Sequence, residues 1–291
     1  MSIKDPYEDG RFGLSFELFP PKTEASEEAM WQTVEELLAF EPSLITCTYG
    51  AGGSTQTKTL EVLRVLQERH DVPVASHLTC VGSSVEELRE YLRQAGDLGV
   101  AAIVALRGDP PKGETEFTQT AGGLRYASEL VDLIRSEFPD FGILVAGYPE
   151  THQEAASPAA DLENLKRKVD AGGDVVVTQL FYDNDDYFAF RDRCTAIGIT
   201  APIVPGIMPV TNYAQIRRIA SLCKARLPEA FTSPFEAAGD DEEAQFEAGV
   251  EYAARQVEQL IAGGVPGMHL YVLNKSPATI RVLEHVGLRP A

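Results

Sequence analysis

Leu165-Lys166-Arg167-Lys168-Val169-Asp170-Ala171-Gly172-Gly173-Asp174-Val175-Val176-Val177-Thr178-Gln179 holds a helix end, a glycine join and a strand in one short run. Leu165 and Val169 share a helical face, the two glycines permit a left-handed stop, and the valines form a β-branched run too short for a helix. The same join recurs at Gly96-Asp97-Leu98-Gly99-Val100 and at Ala262-Gly263-Gly264-Val265. Each time a helix ends on glycine and a strand begins.

Outward from that unit, strand-like runs fall near residues 13–19, 43–49, 73–79, 101–107, 142–148, 174–180, 202–207 and 267–273, which makes eight. Helical patterns over 27–40, 57–69, 85–98, 123–138, 159–169 and 187–197 separate them. A chain of 291 residues with 44% hydrophobic content could form two ordinary domains or one large barrel. Unbroken alternation without a change of composition predicts the barrel, an α/β (β/α)8 TIM barrel in a single domain over 1–291. The seventh unit is long. From 212 to about 241 one helix is expected, then Pro228, Pro234 and an acidic stretch, before a long helix over 243–262 leads into the eighth strand.

The net charge of −19 repels phosphates and anionic lipids, which argues against nucleic acid and membrane partners. Residues 1–10 are polar and no apolar run approaches a membrane span, so a cytoplasmic protein is expected. Cys47, Cys80, Cys194 and Cys223 show no CxxC spacing; reduced thiols and no metal site are expected. The acidic run Gly239-Asp240-Asp241-Glu242-Glu243 reads as solvated surface, or as the mark of a salt-rich cell.

In the first strand, Gly13-Leu14-Ser15-Phe16-Glu17-Leu18-Phe19, alternation sets Leu14, Phe16 and Leu18 on one face and Ser15, Glu17 and Phe19 on the other. Burial lifts a carboxyl above its ordinary value of about 4.3, which suits a proton donor near neutral pH. A structural ion pair with an arginine fits the position equally well. Other strand ends are also polar: Thr46 and Thr48, His77 and Thr79, Arg107-Gly108-Asp109, Tyr148, and Thr178 with Gln179. Barrel cores are usually Val, Ile and Leu, so this ring of polar groups needs hydrogen-bond partners, which a polar ligand can supply.

The segments Phe16-Glu17-Leu18-Phe19-Pro20-Pro21-Lys22, Thr48-Tyr49-Gly50-Ala51, His77-Leu78-Thr79-Cys80 and Leu106-Arg107-Gly108-Asp109 resemble the methylenetetrahydrofolate reductase family of flavoprotein barrels. So do Tyr148-Pro149-Glu150-Thr151-His152, Leu165 to Gly172, Thr178-Gln179 and Pro205-Gly206-Ile207-Met208-Pro209, in order across nearly the whole chain. The resemblance is to the bacterial form, a catalytic barrel without a regulatory extension. It implies that NADH or NADPH reduces bound FAD, which reduces 5,10-methylenetetrahydrofolate to 5-methyltetrahydrofolate, in one-carbon metabolism and methionine biosynthesis.

The resemblance assigns catalytic roles to Glu17, as the acid at the 10-position nitrogen of the folate, and to Asp109, beside the flavin pyrimidine and the folate. It implies cofactor contacts at Thr48, Tyr49, Ala51, His77, Arg107, Gly108, Asp109, Ala127, Tyr148, His152, Ala155, Asp161, Asn164, Arg167 and Lys168. Substrate contacts fall on Asp109, Gln179, Gln215 and Lys275. Lys275 stands where the bacterial family usually has arginine, giving a point charge instead of a bidentate fork, and Ile219 replaces an aromatic residue found in some relatives. A homo-oligomer is implied as well. Read alone, His77 suits an interior histidine, Asp109 a turn, and Asp161, Asn164 and Lys168 a solvated helix face. A Schiff-base lyase is the rival enzyme class, and no strand end offers the lysine it needs.

Overall fold

β-Branched runs become strands and the periodic segments between them become helices throughout the computed structural model, which describes residues 2–8, 10–49, 56–110 and 117–290. The strands are β1 (Gly13–Leu18), β2 (Leu44–Cys47), β3 (Val74–Thr79), β4 (Ala102–Leu106), β5 (Gly142–Gly147), β6 (Val175–Thr178), β7 (Ile203–Val204), β8 (Gly206–Ile207) and β9 (Gly267–Tyr271). The helices are α1 (Glu24–Leu38), α2 (Gln56–His70), α3 (Val85–Asp97), α4 (Ala127–Glu137), α5 (Pro158–Asp170), α6 (Asn184–Ala196), α7 (Tyr213–Cys223), α8 (Glu229–Ala238), α9 (Glu242–Ala262) and α10 (Pro277–His285).

All pairings among these strands are parallel, in the order β7-β6-β5-β4-β3-β2-β1-β9-β8. β7 and β8 are halves of one seventh strand. Pro205 between them has no N–H to give, although its carbonyl still accepts from His269 N at 3.0 Å. β7 pairs with β6 and β8 with β9, so the ring closes as an α/β barrel. The eight expected strands therefore appear as nine, because one proline divides the seventh.

Helix starts follow local chemistry. Ser84 and Glu87 form a capping box on α3, and Ser157 accepts from Ala160 N at 3.1 Å with Pro158 at the first helical position of α5. Outward-facing Leu14, Phe16, Ile45, Leu78, Ile103, Val145 and Val176 join helix side chains in the main core. Inward-facing Leu44, Ala75, Ala102, Leu144, Val175 and Val204 fill the barrel interior, with Tyr7 from a short N-terminal 3₁₀ turn.

A third core lies under the long seventh unit and contains a helix the sequence does not signal. α8 forms despite Pro234, which removes one helical hydrogen bond. Phe231 and Phe235 offset that loss: both are buried, Phe231 lying 4.4 Å from the Tyr182 ring and Phe235 stacking on Tyr213 at 5.4 Å. α9 presses against the connection after β8 through Gly249, where an added Cβ would lie 1.6 Å from the Val210 carbonyl oxygen. No helix among the described residues is long and apolar enough to cross a membrane.

Candidate active site

At the carboxyl ends of the strands lies a cavity of about 380 Å³ with Glu17, Thr46, His77, Arg107, Gly108, Asp109, Tyr148, His152, Gln179, His269 and Tyr271 in its wall. Apolar side chains, Val104, Leu144, Val177, Met208, Ile219 and Leu222, complete it. Register explains the gathering. Glu17 pairs with Thr46 on β2 and with Tyr271 on β9, so residues from opposite ends of the chain stand side by side on the inner face of the barrel.

Glu17 is 7% exposed, and its Oε2 lies 3.2 Å from His77 Nε2 and 3.7 Å from His269 Nε2. Burial pushes its carboxyl up, as the sequence suggests, but hydrogen bonding and positive charge from His269 and His77 outweigh burial and bring it down to about 2. The expectation of a raised carboxyl is thus overturned by two imidazoles. The partner is likewise not an arginine. Arg107 instead makes a bidentate pair with Glu154, at 2.6 and 2.7 Å, and lies 5.1 Å from the centre of the Phe117 ring.

The turn after β4 requires its glycine. Gly108 has φ +87°, and a Cβ there would stand 2.4 Å from Val81 Cγ1. Asp109 follows it, exposed at the cavity rim. Opposite, the Tyr148 and His152 rings meet edge-on at 4.7 Å, and the Asp161 carboxylate accepts from His152 N at 2.9 Å. Burial lowers the His152 imidazole. Lys168 reaches from α5 to the Ala146 carbonyl, 5.9 Å from the Tyr148 ring centre, and burial brings its ammonium down to about 8 against the raising charge of Asp161.

Other predicted residues lie farther out. Tyr49 is buried in the main core with its hydroxyl accepting from Thr79 N at 2.7 Å, and Thr48 donates its N–H to the Leu18 carbonyl at the end of β1. Ala127 opens α4, and Ala155 donates its N–H to the His152 carbonyl. Asn164 and Arg167 bond to each other at 3.0 Å on the exposed side of α5. Ala51 lies outside the described residues. Gln215 and Lys275 meet in an adjoining cavity of about 280 Å³, which shares Met208, Ile219 and Tyr271 with the first. Among the described residues, Lys168 and Lys275 both stay out of the first cavity's wall, and no other described lysine lines it, which disfavours a Schiff-base reading.

His269 and Tyr271 also line the cavity, although neither is among the candidates drawn from the sequence. Their signal was present: in Gly267-Met268-His269-Leu270-Tyr271 the two alternate with apolar residues, as Ser15 and Glu17 do in β1. Thr46 also stands out, because its buried Oγ1 has no hydrogen-bond partner among the described residues while it faces the cavity.

The methylenetetrahydrofolate reductase family profile matches residues 2–287. The chain is 41% identical over 296 residues to methylenetetrahydrofolate reductase (NADH) 1 of Arabidopsis thaliana, covering 98% of this chain and 50% of that one. It thus spans about half the length of its plant relatives. It is 38% identical over 281 residues to 5,10-methylenetetrahydrofolate reductase of Escherichia coli K12, covering 97% of this chain and 93% of that one. Among solved structures, an uncharacterized Clostridium thermocellum protein that binds two copies of 5-methyl-5,6,7,8-tetrahydrofolic acid aligns with TM-score 0.66 at 13% identity, covering 99% of this chain and 98% of that one. That likeness is one of fold.

Proposed function

The chain belongs to the methylenetetrahydrofolate reductase family, and from that premise we propose that it reduces 5,10-methylenetetrahydrofolate to 5-methyltetrahydrofolate with NADH or NADPH through bound FAD. The observation that carries this reading is the buried Glu17 carboxylate, set between two imidazoles at the floor of a cavity rimmed by Asp109 and Gln179. Such a site can pass a proton to a basic nitrogen and bind the amide and amino edge of a pterin.

The residues also fit a flavin dinucleotide. Val104, Leu144 and Val177 offer apolar walls for a planar ring, and the unpartnered Thr46 hydroxyl offers a hydrogen bond at its edge. Arg107 and Lys168 are the cations for a pyrophosphate, with Asp161 and His152 near by for ribose hydroxyls. Burial disfavours the Lys168 ammonium in the protein alone, and a neighbouring phosphate would offset that cost. Bound FAD would supply hydride transfer from the nicotinamide to the folate.

The protein's own groups supply the rest. Glu17 protonates the 10-position nitrogen, which opens the bridged ring to an electrophile that hydride can reach. Gln179 and Asp109 orient the pterin, and Gln215 and Lys275 receive the tail of the folate in the adjoining cavity. Protein mixed with FAD and passed through a desalting column should remain yellow with one flavin per chain, and should then turn over NADH or NADPH beyond the one equivalent that reduces its flavin only when a folate or artificial acceptor is present. Failure to retain FAD contradicts the reading. Assembly into a homo-oligomer belongs to the same proposal and is read by light scattering of the loaded protein.

A further inference from the structure

Ser15 and His269 are buried polar side chains beside Glu17, and the proposed reaction gives Ser15 no role. Their strands pair at these two residues, and His269 is 2% exposed. The Ser15 hydroxyl lies 3.3 Å from the Met268 carbonyl and 2.8 Å from His269 Nδ1. With its one proton given to the Met268 carbonyl, which can only accept, Ser15 accepts from Nδ1–H; the opposite assignment, Ser15 donating to Nδ1, is the one that the tautomer measurement below distinguishes. Neutral His269 then turns the bare lone pair of Nε2 toward Glu17 Oε2, 3.7 Å away. A carboxylate facing a lone pair is repulsive. One proton between the two atoms removes the repulsion, whether it sits on nitrogen or on oxygen.

We propose that His269 and Glu17 hold one shared proton, that Ser15 keeps it there by fixing the imidazole tautomer, and that this proton is the one delivered to the folate. The inference rests on the folate reading above. In the step, the His269 Nε2–H bond breaks as a Glu17 O–H bond forms. That O–H bond breaks in turn as the 10-position nitrogen gains the proton, and the bridging C–N bond opens with its electron pair left on that nitrogen. His269 ends neutral, its remaining proton on Nδ1. The 3.7 Å separation is about 0.8 Å beyond an ordinary N–H···O contact, a gap that side-chain adjustment on substrate binding closes. His77, which touches the same oxygen and is the more exposed imidazole, returns a proton from solvent after product leaves.

The other titratable groups around this pair do not compete for the proton. Cys47 on β2, Tyr271 on β9 and Tyr7 beside Ser15 are all pushed up by burial and stay neutral near pH 7.

The chain has five histidines, so ¹⁵N-histidine NMR of the isolated wild-type protein can read the tautomer directly. His269 Nδ1 should remain protonated from about pH 6 to 8, and Ser15→Ala should release it to a tautomer mixture. An unprotonated Nδ1 in the wild type at neutral pH overturns the proposal. In FAD-loaded enzyme, Ser15→Ala should move the alkaline limb of the folate step about one pH unit lower, leave the limb of the nicotinamide step in place, and be rescued by Ser15→Thr. Limbs that both stay or move together also overturn it. If loaded wild-type enzyme reduces no folate, the functional reading fails, while the NMR result still decides whether the proton is shared.

Discussion

Glu17 shows why burial alone does not predict a titration. Its strand and prolines read correctly as a buried carboxylate, but the direction of its shift depends on His77 and on His269, which lies 252 residues downstream in a strand paired to β1. A folded value of about 2 lies below the ordinary 4.5, so the ionised form is favoured by folding. Its contribution is full above about 4.5 and drains as pH falls toward 2. The difference in melting temperature between wild type and Glu17→Gln should therefore shrink between pH 6 and pH 3. A constant difference in thermal melts would count against the pairing. Lys168 has the opposite sign: its folded value of about 8 lies below 10.5, so its ammonium costs stability at neutral pH, a cost that fades as pH rises through that interval. Lys168→Met should raise the melting temperature of FAD-free protein at pH 7 and weaken FAD binding roughly 10- to 100-fold, the worth of a charged hydrogen bond. Calorimetry and flavin titration read both.

Among the elements, the regular βα units are legible because periodicity, glycine stops and caps agree locally. α5 and its glycine join fall within one residue of expectation at either end of the 159–169 pattern, Pro158–Asp170. The seventh unit is less legible, because tertiary packing overrides local signals. Pro205 splits a strand, and Pro234 argues against a helix that two buried phenylalanines nevertheless stabilise. Phe231→Ala should cost about 3–5 kcal/mol if that packing holds α8 in place, measured by denaturant unfolding. A cost under about 1 kcal/mol would mean that α8 is held otherwise. Arg226, after α7, reaches Asp183 at 2.9 Å and Asp186 at 2.8 Å, and its backbone N–H donates to Glu150 at 2.9 Å. This ties the segment carrying Ile219 and Leu222 to the loops beside the cavity.

Across the whole molecule, eight polar and apolar strand ends meet because the barrel brings them to one rim, and that convergence is what a linear reading reaches only through the fold. The ring of polar ends is legible; which groups pair within it is not, since Arg107 joins Glu154 and Glu17 joins histidines. The net charge of −19 acts at the same scale. Its self-repulsion is screened within a Debye length of about 10 Å at 0.1 M salt, so the melting temperature should rise as salt is raised from about 0.01 to 0.1 M. A Glu17 that serves only the folate step of a flavin-dependent reductase separates the two half-reactions. Rapid mixing of FAD-loaded Glu17→Gln, first with NADH or NADPH and then with methylenetetrahydrofolate, tests it most directly by flavin absorbance. Flavin bleaching by nicotinamide should persist at near the wild-type rate, while reoxidation by folate falls by about 10²- to 10⁴-fold; equal losses in both steps would contradict the claim.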